Sequence, residues 1–383
     1  LLLVEGMPRI LVISSKEWVS RAITEPESER VIRGPREGFV ESLKVNVSLL
    51  ERRILNPDLK FSYMELGTIS KTQICVCYVE GIVSKKILKE LMLRLKKIEK
   101  EAILDSRNVQ DLIQDSPLSI FPTIGDSERP DVVAAKLLEG RIAIICNGSP
   151  SVLTLPYLFI EYFQVNEDYY NNYIFASINR MIRVASFFLA TGIPAIYLAI
   201  VTFHQELLPT PLMLSLAAAR KDVPFPTIVE LILMLFVFEV MREAGVRLPL
   251  SVGMAISIVG ALVLGEAAVT ANIISAPMVI VTAFTGISSF LIFKIKGALI
   301  VIRSCFLVAA GFLGLYGYML CLMLLVVYLT SMRSFGVPYM LDASFIDTEN
   351  IKDTAVKGPA WMLDKRPKFA LRRAGARNFA KKA

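Results

Sequence analysis

The chain has 383 residues, 54% of them hydrophobic, and a mean hydropathy of +0.54, values that point to an integral membrane protein rather than a soluble one. It carries 42 Lys and Arg against 35 Asp and Glu, and His204 is its single histidine. Ser-His-Asp, Cys-His or multi-histidine metal chemistry would depend on that one residue, so we predict no enzyme and no catalytic, cofactor-binding or metal-binding residue.

The charges divide the chain into three regions. Residues 1–180 hold 23 basic and 24 acidic residues, residues 181–332 hold 8 and 6, and residues 333–383 hold 11 and 5. We therefore predict a soluble domain over 1–180, a transmembrane helical domain over 181–332 and a basic, partly disordered tail over 333–383. The chain starts at Leu1 with neither a signal peptide nor a span, so we expect the soluble domain to be truncated at its N-terminus.

The soluble region alternates between two kinds of pattern. Short β-rich runs occur at residues 9–14, 59–66 and 71–81, helical runs at 38–55 and 84–101, and a helix followed by a strand at 129–150. This alternation predicts an α/β domain. Lysines in residues 84–101 could attract nucleic acid or lipid head groups, but they are interspersed with glutamates, which favours a solvated helix face over either.

Residues 32–39, IRGPREGF, form a candidate contact for a partner. Arg33 and Arg36 flank a Gly-Pro turn that we expect to open a helix. Backbone N–H groups at a helix start can hold an anion or a carboxylate of a partner protein. A plain structural turn with solvated arginines is the alternative.

Apolar runs fill the middle region. Residues 184–203 contain no charge and, at 1.5 Å per residue, are long enough to cross a hydrocarbon core of roughly 30 Å. Further uncharged runs cover 248–265, 267–293 and 304–332. The second of these is interrupted at Pro277, which we expect to end or kink a helix. Together with residues 224–249 they predict an α-helical polytopic membrane domain of four to six spans.

Lys and Arg are absent from the turn at residues 266–277, which the positive-inside rule places outside, with the soluble domain inside. The run 304–332 leaves two alternatives open: one straight helix sends the tail outside, whereas a hairpin returns it inside. From Lys365 the tail has eight basic residues and no acidic one. It could lie on anionic membrane lipids, or it could serve only to orient the chain in the membrane.

Several long stretches resemble a known family. They include ITEPESERVIRGPREGFVESL, TFHQELLPTPLMLSLAAAR, VPFPTIVELILMLFVFEVMREAGVRLP, ISIVGALVLGEAAVTANIISAPMVIVTA and RSFGVPY, in unbroken order to about residue 338. The chain resembles the GerA family, the A subunits of spore germination receptors, which also includes stage V sporulation protein AF. Members usually carry a further soluble segment upstream.

The resemblance implies a protein of the spore inner membrane, in which the inside predicted for the soluble domain is the cytoplasmic, or core, side. It implies a transporter-like B subunit and a lipoprotein C subunit as partners, a homo-oligomer, and a nutrient-gated cation channel that triggers germination. A non-conducting scaffold or signalling subunit, and a stage V AF-type ion channel, are the alternatives. A secondary transporter is disfavoured because the sequence has no evident inverted repeat.

Four charges near residue 240 predict two pairs. Glu239 lies three residues before Arg242, and Glu243 lies four before Arg247, so both pairs can form on one helix, at its inner end. We expect these pairs to be structural.

Two other carboxylates are candidates for the pore or its gate. Glu230 lies about 13 Å deeper than Glu239 on the opposite helix side and has no basic neighbour there. It can line a pore, pair with Arg183 or Arg303 of another helix, or lie near the surface on a short re-entrant helix. Glu266, in the outer turn, is a candidate cation attractor at the pore mouth, because carboxylate rings can select cations. The alternative is a solvated loop residue.

Overall fold

The computed structural model of the protein describes residues 22–26, 28–248, 253, 260, 263–341, 353, 354 and 356–359. Three sequence predictions therefore lie wholly or mostly outside the described residues. They are the strand at 9–14, the uncharged run at 248–265 and the basic tail from Lys365.

A five-stranded antiparallel sheet forms the centre of the N-terminal α/β domain, which keeps the name soluble domain from the sequence prediction. Its strands are β1 (Leu59–Leu66), β2 (Thr72–Val79), β3 (Gly125–Ser127), β4 (Ile142–Cys146) and β5 (Val152–Leu155), in the order β1-β2-β4-β5-β3. Side chains of consecutive residues in a strand point to opposite faces, so each buried strand supplies two cores.

Helices cover both faces of this sheet. α1 (Leu43–Arg53) and α4 (Pro130–Leu138) bury their apolar sides against Cys75, Cys77 and Ile145. α2 (Lys85–Lys96) and α3 (Ser106–Ile113) pack on the opposite face, against Ile74, Val76 and Ile144. The α/β architecture predicted from the sequence is confirmed.

The second half of the chain is helical. The helices are α5 (Tyr173–Phe203), α6 (Thr210–Arg220), α7 (Thr227–Arg247), α8 (Ala276–Phe290) and α9 (Lys296–Ser331), with a short helical turn from Val263 to Thr270 before α8. In the described residues, two helical segments are long and apolar enough to cross a membrane, Tyr173–Phe203 and Phe293–Ser331. α5 begins eleven residues before the predicted run 184–203, and Arg180 and Arg183 in its first three turns are bound to Asp168 of the soluble domain.

The helix α9 folds back on itself at Gly314. This glycine has φ +61° and ψ −142°, a region that residues with a Cβ rarely enter. The rings of Phe306 and Tyr318 are 5.3 Å apart, and Cys321 Sγ lies 3.9 Å from the carbonyl oxygen of Cys305. Sixteen residues would separate those cysteines by about 24 Å in a straight helix. Of the two alternatives for the run 304–332, the structure has the hairpin.

The chain after α9 returns to the soluble domain. β6 (Arg333–Ser334) and β7 (Val337–Pro338) form a small antiparallel hairpin. Ser334 Oγ accepts a hydrogen bond from the Tyr157 N–H, at 3.1 Å, and the Tyr339 carbonyl accepts one from Phe159 N–H, at 3.1 Å. Both ends of the α9 hairpin therefore lie at the soluble domain, and its tip at Gly314 lies beside Phe203 and His204 at the far end of α5.

Candidate functional site

Glu230 is fully buried in the helical region, where it joins α7 to α8. Its Oε1 accepts hydrogen bonds from the backbone N–H and the hydroxyl of Ser275, both at 2.5 Å. Ser275 immediately precedes α8, and the N–H groups at a helix start carry a partial positive charge that favours a carboxylate. Among the described residues, Oε2 of Glu230 has no hydrogen-bond partner.

Of the three alternatives for Glu230, the structure does not have the interhelical pair with Arg183 or Arg303, because both arginines are bound elsewhere. Arg183 is bound to Asp168 and Arg303 to Glu239. The signal for the true partner was present at residues 275–277, Ser-Ala-Pro. Proline is favoured at the first positions of a helix, where its missing N–H costs nothing, so Pro277 helps to begin α8 and does not end or kink a helix there.

A second cluster lies at the opposite end of α7. Glu239 accepts from Arg242 on its own helix and from Arg303 Nη2 of α9 at 2.5 Å. Arg303 is 4% exposed, so its charge is neutralised mainly by Glu239. Glu243 lies 2.7 Å from Arg247 and 3.4 Å from Lys296, in a solvent-exposed position. The two same-helix pairs are thus present, and contacts to α9 supplement each of them.

The structure does not bring Glu266 together with Glu230. Glu266 lies in the π-helical turn Val263–Ala267 and its side chain is exposed, whereas Glu230 is enclosed between α7 and α8. The backbone carbonyl of Glu266 accepts a hydrogen bond from Thr270 Oγ1 at 2.7 Å. Only Glu230 is therefore part of the helix packing.

Arg33 and Arg36 are exposed, but they do not open a helix. The chain is irregular from Val31 to Ser42, and α1 begins at Leu43. Gly34 has φ +137°, and the ring of Tyr170 lies 2.8 Å from where a Cβ would stand. A residue with a Cβ would be strained at position 34 and would clash with this ring, and the turn does not supply the N–H groups of a helix start that the sequence predicted.

A buried ion network at the base of the soluble domain was not predicted. Asp168 accepts from Arg180 Nε at 3.0 Å and from Arg183 Nη1 and Nη2 at 2.8 and 2.7 Å. Arg180 also donates to Asp353 at 2.8 Å. Burial by itself raises the pKa of the Asp168 carboxyl, but the two guanidinium groups outweigh it and hold the pKa below its usual value. From the sequence, Arg183 was only a candidate partner of Glu230.

Another link joins the soluble domain to α9. Lys294 Nζ lies 2.5 Å from Glu29 Oε1, and the other oxygen of Glu29 accepts from Ser127 Oγ at 2.6 Å. Burial raises the pKa of the Glu29 carboxyl, but Lys294 and these hydrogen bonds outweigh it, so the pKa is lowered. The soluble domain is therefore bound by charge to the starts of both long apolar segments.

Comparison with known proteins identifies the family. The family model described as "Bacillus/Clostridium GerA spore germination protein" matches residues 1–369. The chain belongs to the GerA family. This is a family of germinant-receptor A subunits in spore germination and not a known class of enzymes.

Named relatives cover nearly all of this GerA-family chain. It is 45% identical to spore germination protein KA of Bacillus subtilis over 96% of its own length and 68% of that protein. It is 42% identical to the uncharacterized membrane protein YfkQ of B. subtilis, over 96% of the chain and 72% of that protein.

One solved structure is also similar in sequence. It is the N-terminal domain of the A subunit of the Bacillus megaterium spore germinant receptor GerK3, which is 45% identical. The match covers 32% of this chain and 97% of that one, with a TM-score of 0.27.

Proposed function

We propose that this GerA-family chain is the membrane-embedded A subunit of a nutrient-gated germinant receptor and that it conducts cations as a homo-oligomer. It works with the transporter-like B subunit and the lipoprotein C subunit in the spore inner membrane. Its soluble domain faces the core, since Arg180, Arg183 and Lys294 lie near the starts of the two long apolar segments and are bound to that domain.

Large apolar side chains on the helices support both the membrane placement and the oligomer. Phe236, Phe284, Phe312 and Met323 are 65%, 56%, 79% and 70% exposed. Surfaces of this kind need lipid or another protein to cover them. A ring of A subunits would cover one side of each protomer and leave the other to lipid.

The observation that carries the conduction proposal is the Glu230 carboxylate. A buried ionisable group among apolar helices is costly and is usually retained for function. One of its oxygens is bonded to Ser275, and the other has no partner in the described part of the chain. We infer that separation of α7 from α8 would free this carboxylate to face a cation pathway.

The alternative, a non-conducting scaffold subunit, is favoured by the same residue in another respect. Glu230 is 0% exposed and holds the start of α8, as a purely structural residue would. Conductance of the purified chain in planar bilayers, alone and with its B and C subunits, separates the two functions. Germinant-dependent current supports the channel, and no current in any combination rejects it.

We expect Glu230→Gln to alter germinant-triggered cation release while the protein still accumulates. Glutamine keeps an oxygen for the Ser275 N–H but removes the charge, so α8 keeps its position and only the electrostatics change. We expect Glu266→Gln to alter release as well, by removing a negative charge from the exposed outer turn. Release is measured as potassium efflux from spores, with protein levels followed by immunoblot.

Glu243→Gln is the matched control, because Glu243 is an exposed acid paired to Arg247 and Lys296. It should leave release unchanged. Normal release in both the Glu230 and Glu266 variants would remove these carboxylates from the mechanism.

A further inference from the structure

An open cleft lies where the last turn of α9 meets the soluble domain. It encloses about 790 Å³ between α2, the loop after α3 and the β6–β7 hairpin. Lys86 and Lys89 of α2 form one wall, Arg333 and Tyr328 the opposite wall, and Leu118 lies at the loop. None of these residues takes part in the carboxylate clusters described above.

The cleft has an excess of positive charge. Its two acidic side chains, Glu90 and Asp115, are both bound to Arg94, at 2.8 and 2.5 Å. Asp115 also accepts from the Phe335 N–H, so both of its oxygens are occupied. Lys86, Lys89 and Arg333 are exposed and have no acidic partner in the described part of the chain. The cleft thus has four basic side chains against two acidic ones, which leaves an excess of two positive charges.

The cleft also exposes large apolar side chains to solvent, which is unfavourable in water. Leu118 is 99% exposed and Leu93, also in the cleft, is 47% exposed. The loop of Leu118 is held to the helix end, because the Tyr328 hydroxyl lies 2.9 Å from Ser119 Oγ. Tyrosine at the end of an apolar helix is typical of the headgroup level of a bilayer, which puts Leu118 within reach of the acyl region.

We propose that this cleft binds the headgroup of an anionic phospholipid. Lys86, Lys89 and Arg333 contact the phosphate, and Leu118 and Tyr328 lie along the upper part of the acyl chains. Cationic walls combined with exposed apolar residues fit an amphiphilic anion better than a soluble one. The inference rests on the membrane placement of α9 in the proposed function, but it requires no ion conduction.

Binding of phosphatidylglycerol to the purified full-length chain in detergent tests this site. Titration followed by native mass spectrometry should give at least tenfold weaker binding for the double variant Lys86→Gln/Lys89→Gln. The double variant Lys44→Gln/Lys85→Gln removes the same charge from exposed lysines outside the cleft and should stay within twofold of wild type. Equal affinity of the Lys86/Lys89 variant and the wild type overturns the proposal.

Two further arms separate a lipid from a soluble anion. Leu118→Ser should weaken phosphatidylglycerol binding severalfold and leave binding of glycerol phosphate unchanged. If inorganic phosphate or glycerol phosphate binds as tightly as the lipid, the ligand is a soluble anion and the lipid assignment is wrong. The lipid proposal is also rejected if an acidic peptide binds at Lys86 and Lys89 while replacement of these lysines leaves phosphatidylglycerol binding unchanged. Because no germinant or current is measured, a failure here is distinct from a failure of the channel proposal.

Discussion

Replacing Gly314 with alanine is expected to prevent the α9 hairpin from closing. Its φ of +61° with ψ of −142° costs a residue with a Cβ about 1–3 kcal/mol. The new Cβ would also lie 2.7 Å from His204 Cε1 and 3.1 Å from Phe203 Cβ. The two penalties act together, so we expect the variant to lose the fold-back or to unfold at a clearly lower temperature.

Two natural cysteines report on the hairpin directly. Cys305 and Cys321 lie against each other across its arms, whereas Cys75, Cys77 and Cys146 are buried in the soluble domain. A short thiol cross-linker should join Cys305 to Cys321 in the wild type and fail to do so in Gly314→Ala.

Gly297→Ala is the control on the same helix. No atom lies within 4 Å of the Cβ that it would add, and alanine is favoured over glycine in a helix by about 1 kcal/mol. It should cross-link as the wild type does and unfold at the same or a higher temperature. Full cross-linking in Gly314→Ala would show that the fold-back does not depend on Gly314, and absence of the cross-link in the wild type would contradict the hairpin itself.

The strands of the soluble domain were the most predictable part of the fold. The sequence predicts a strand over residues 59–66, and β1 covers Leu59–Leu66. Cys75 and Cys77 alternate with Ile74 and Val76, and the two sets belong to the cores on opposite faces of the sheet. Period-two patterning carries this information because the pleat of a strand fixes side-chain direction locally.

Contacts between distant residues were not predictable in this way. Glu230 and Ser275 are 45 positions apart, and the hydrogen bond between them follows from how α7 lies beside α8. A basic side chain is the usual partner of a buried carboxylate, but the backbone N–H groups at a helix start can stabilise the negative charge as well. Glu230 was thus identified correctly from the sequence as lacking a basic partner on its own helix, but Ser275 was not identified as its partner at the start of α8.

The same limit applies to the long uncharged run in α9. Gly311, Gly314 and Gly317 recur every three residues, which indicates close helix packing. This spacing does not tell whether the packed partner is another helix or the second arm of the same hairpin. Gly317 packs against the backbone of Ala309, within the same hairpin. The decisive property, the backbone conformation of Gly314, is set by its place at the end of α5 and is invisible in the pattern of apolar residues.

The fold-back also explains how a change in the soluble domain would reach the far side of the helices. α5 and both ends of the α9 hairpin are fixed to the soluble domain, while the hairpin tip contacts the end of α5. Glu230 lies on α7, whose Ile228 contacts α9 at Gly311. We infer that a displacement of the soluble domain that moves α5 would also move α8, which packs on α5, relative to α7, and would so disturb the contact of Glu230 and Ser275.

Asp168→Asn is expected to have the second large effect, because it breaks the buried ion network that starts α5. Asp168 is 2% exposed and Arg180 0% exposed. Removal of one partner from a buried pair typically costs about 3–5 kcal/mol, since the other charge stays buried without compensation. Asp353 still contacts Arg180 at 2.8 Å, which places the expected loss at the lower end of that range. Thermal unfolding of the purified protein in detergent measures it.

Acid should reproduce part of this loss in the wild type. The pKa of Asp168 is lowered in the folded state because Arg183 and Arg180 outweigh the effect of burial. A carboxyl with a lowered pKa stabilises the fold above its unfolded pKa of about 3.9, and that contribution disappears as the pH falls through the folded value. The wild type should therefore lose its advantage over Asp168→Asn as the pH falls below about 4.

Asp111→Asn serves as the control, because its pair with Arg107 is exposed and such pairs contribute about 0–1 kcal/mol. If Asp168→Asn and Asp111→Asn unfold at the same temperature at neutral pH, the ion network does not hold α5. If instead Asp168→Asn is less stable at neutral pH and approaches the wild type in acid, the ionised Asp168 carboxylate is what fixes the first long helix to the soluble domain.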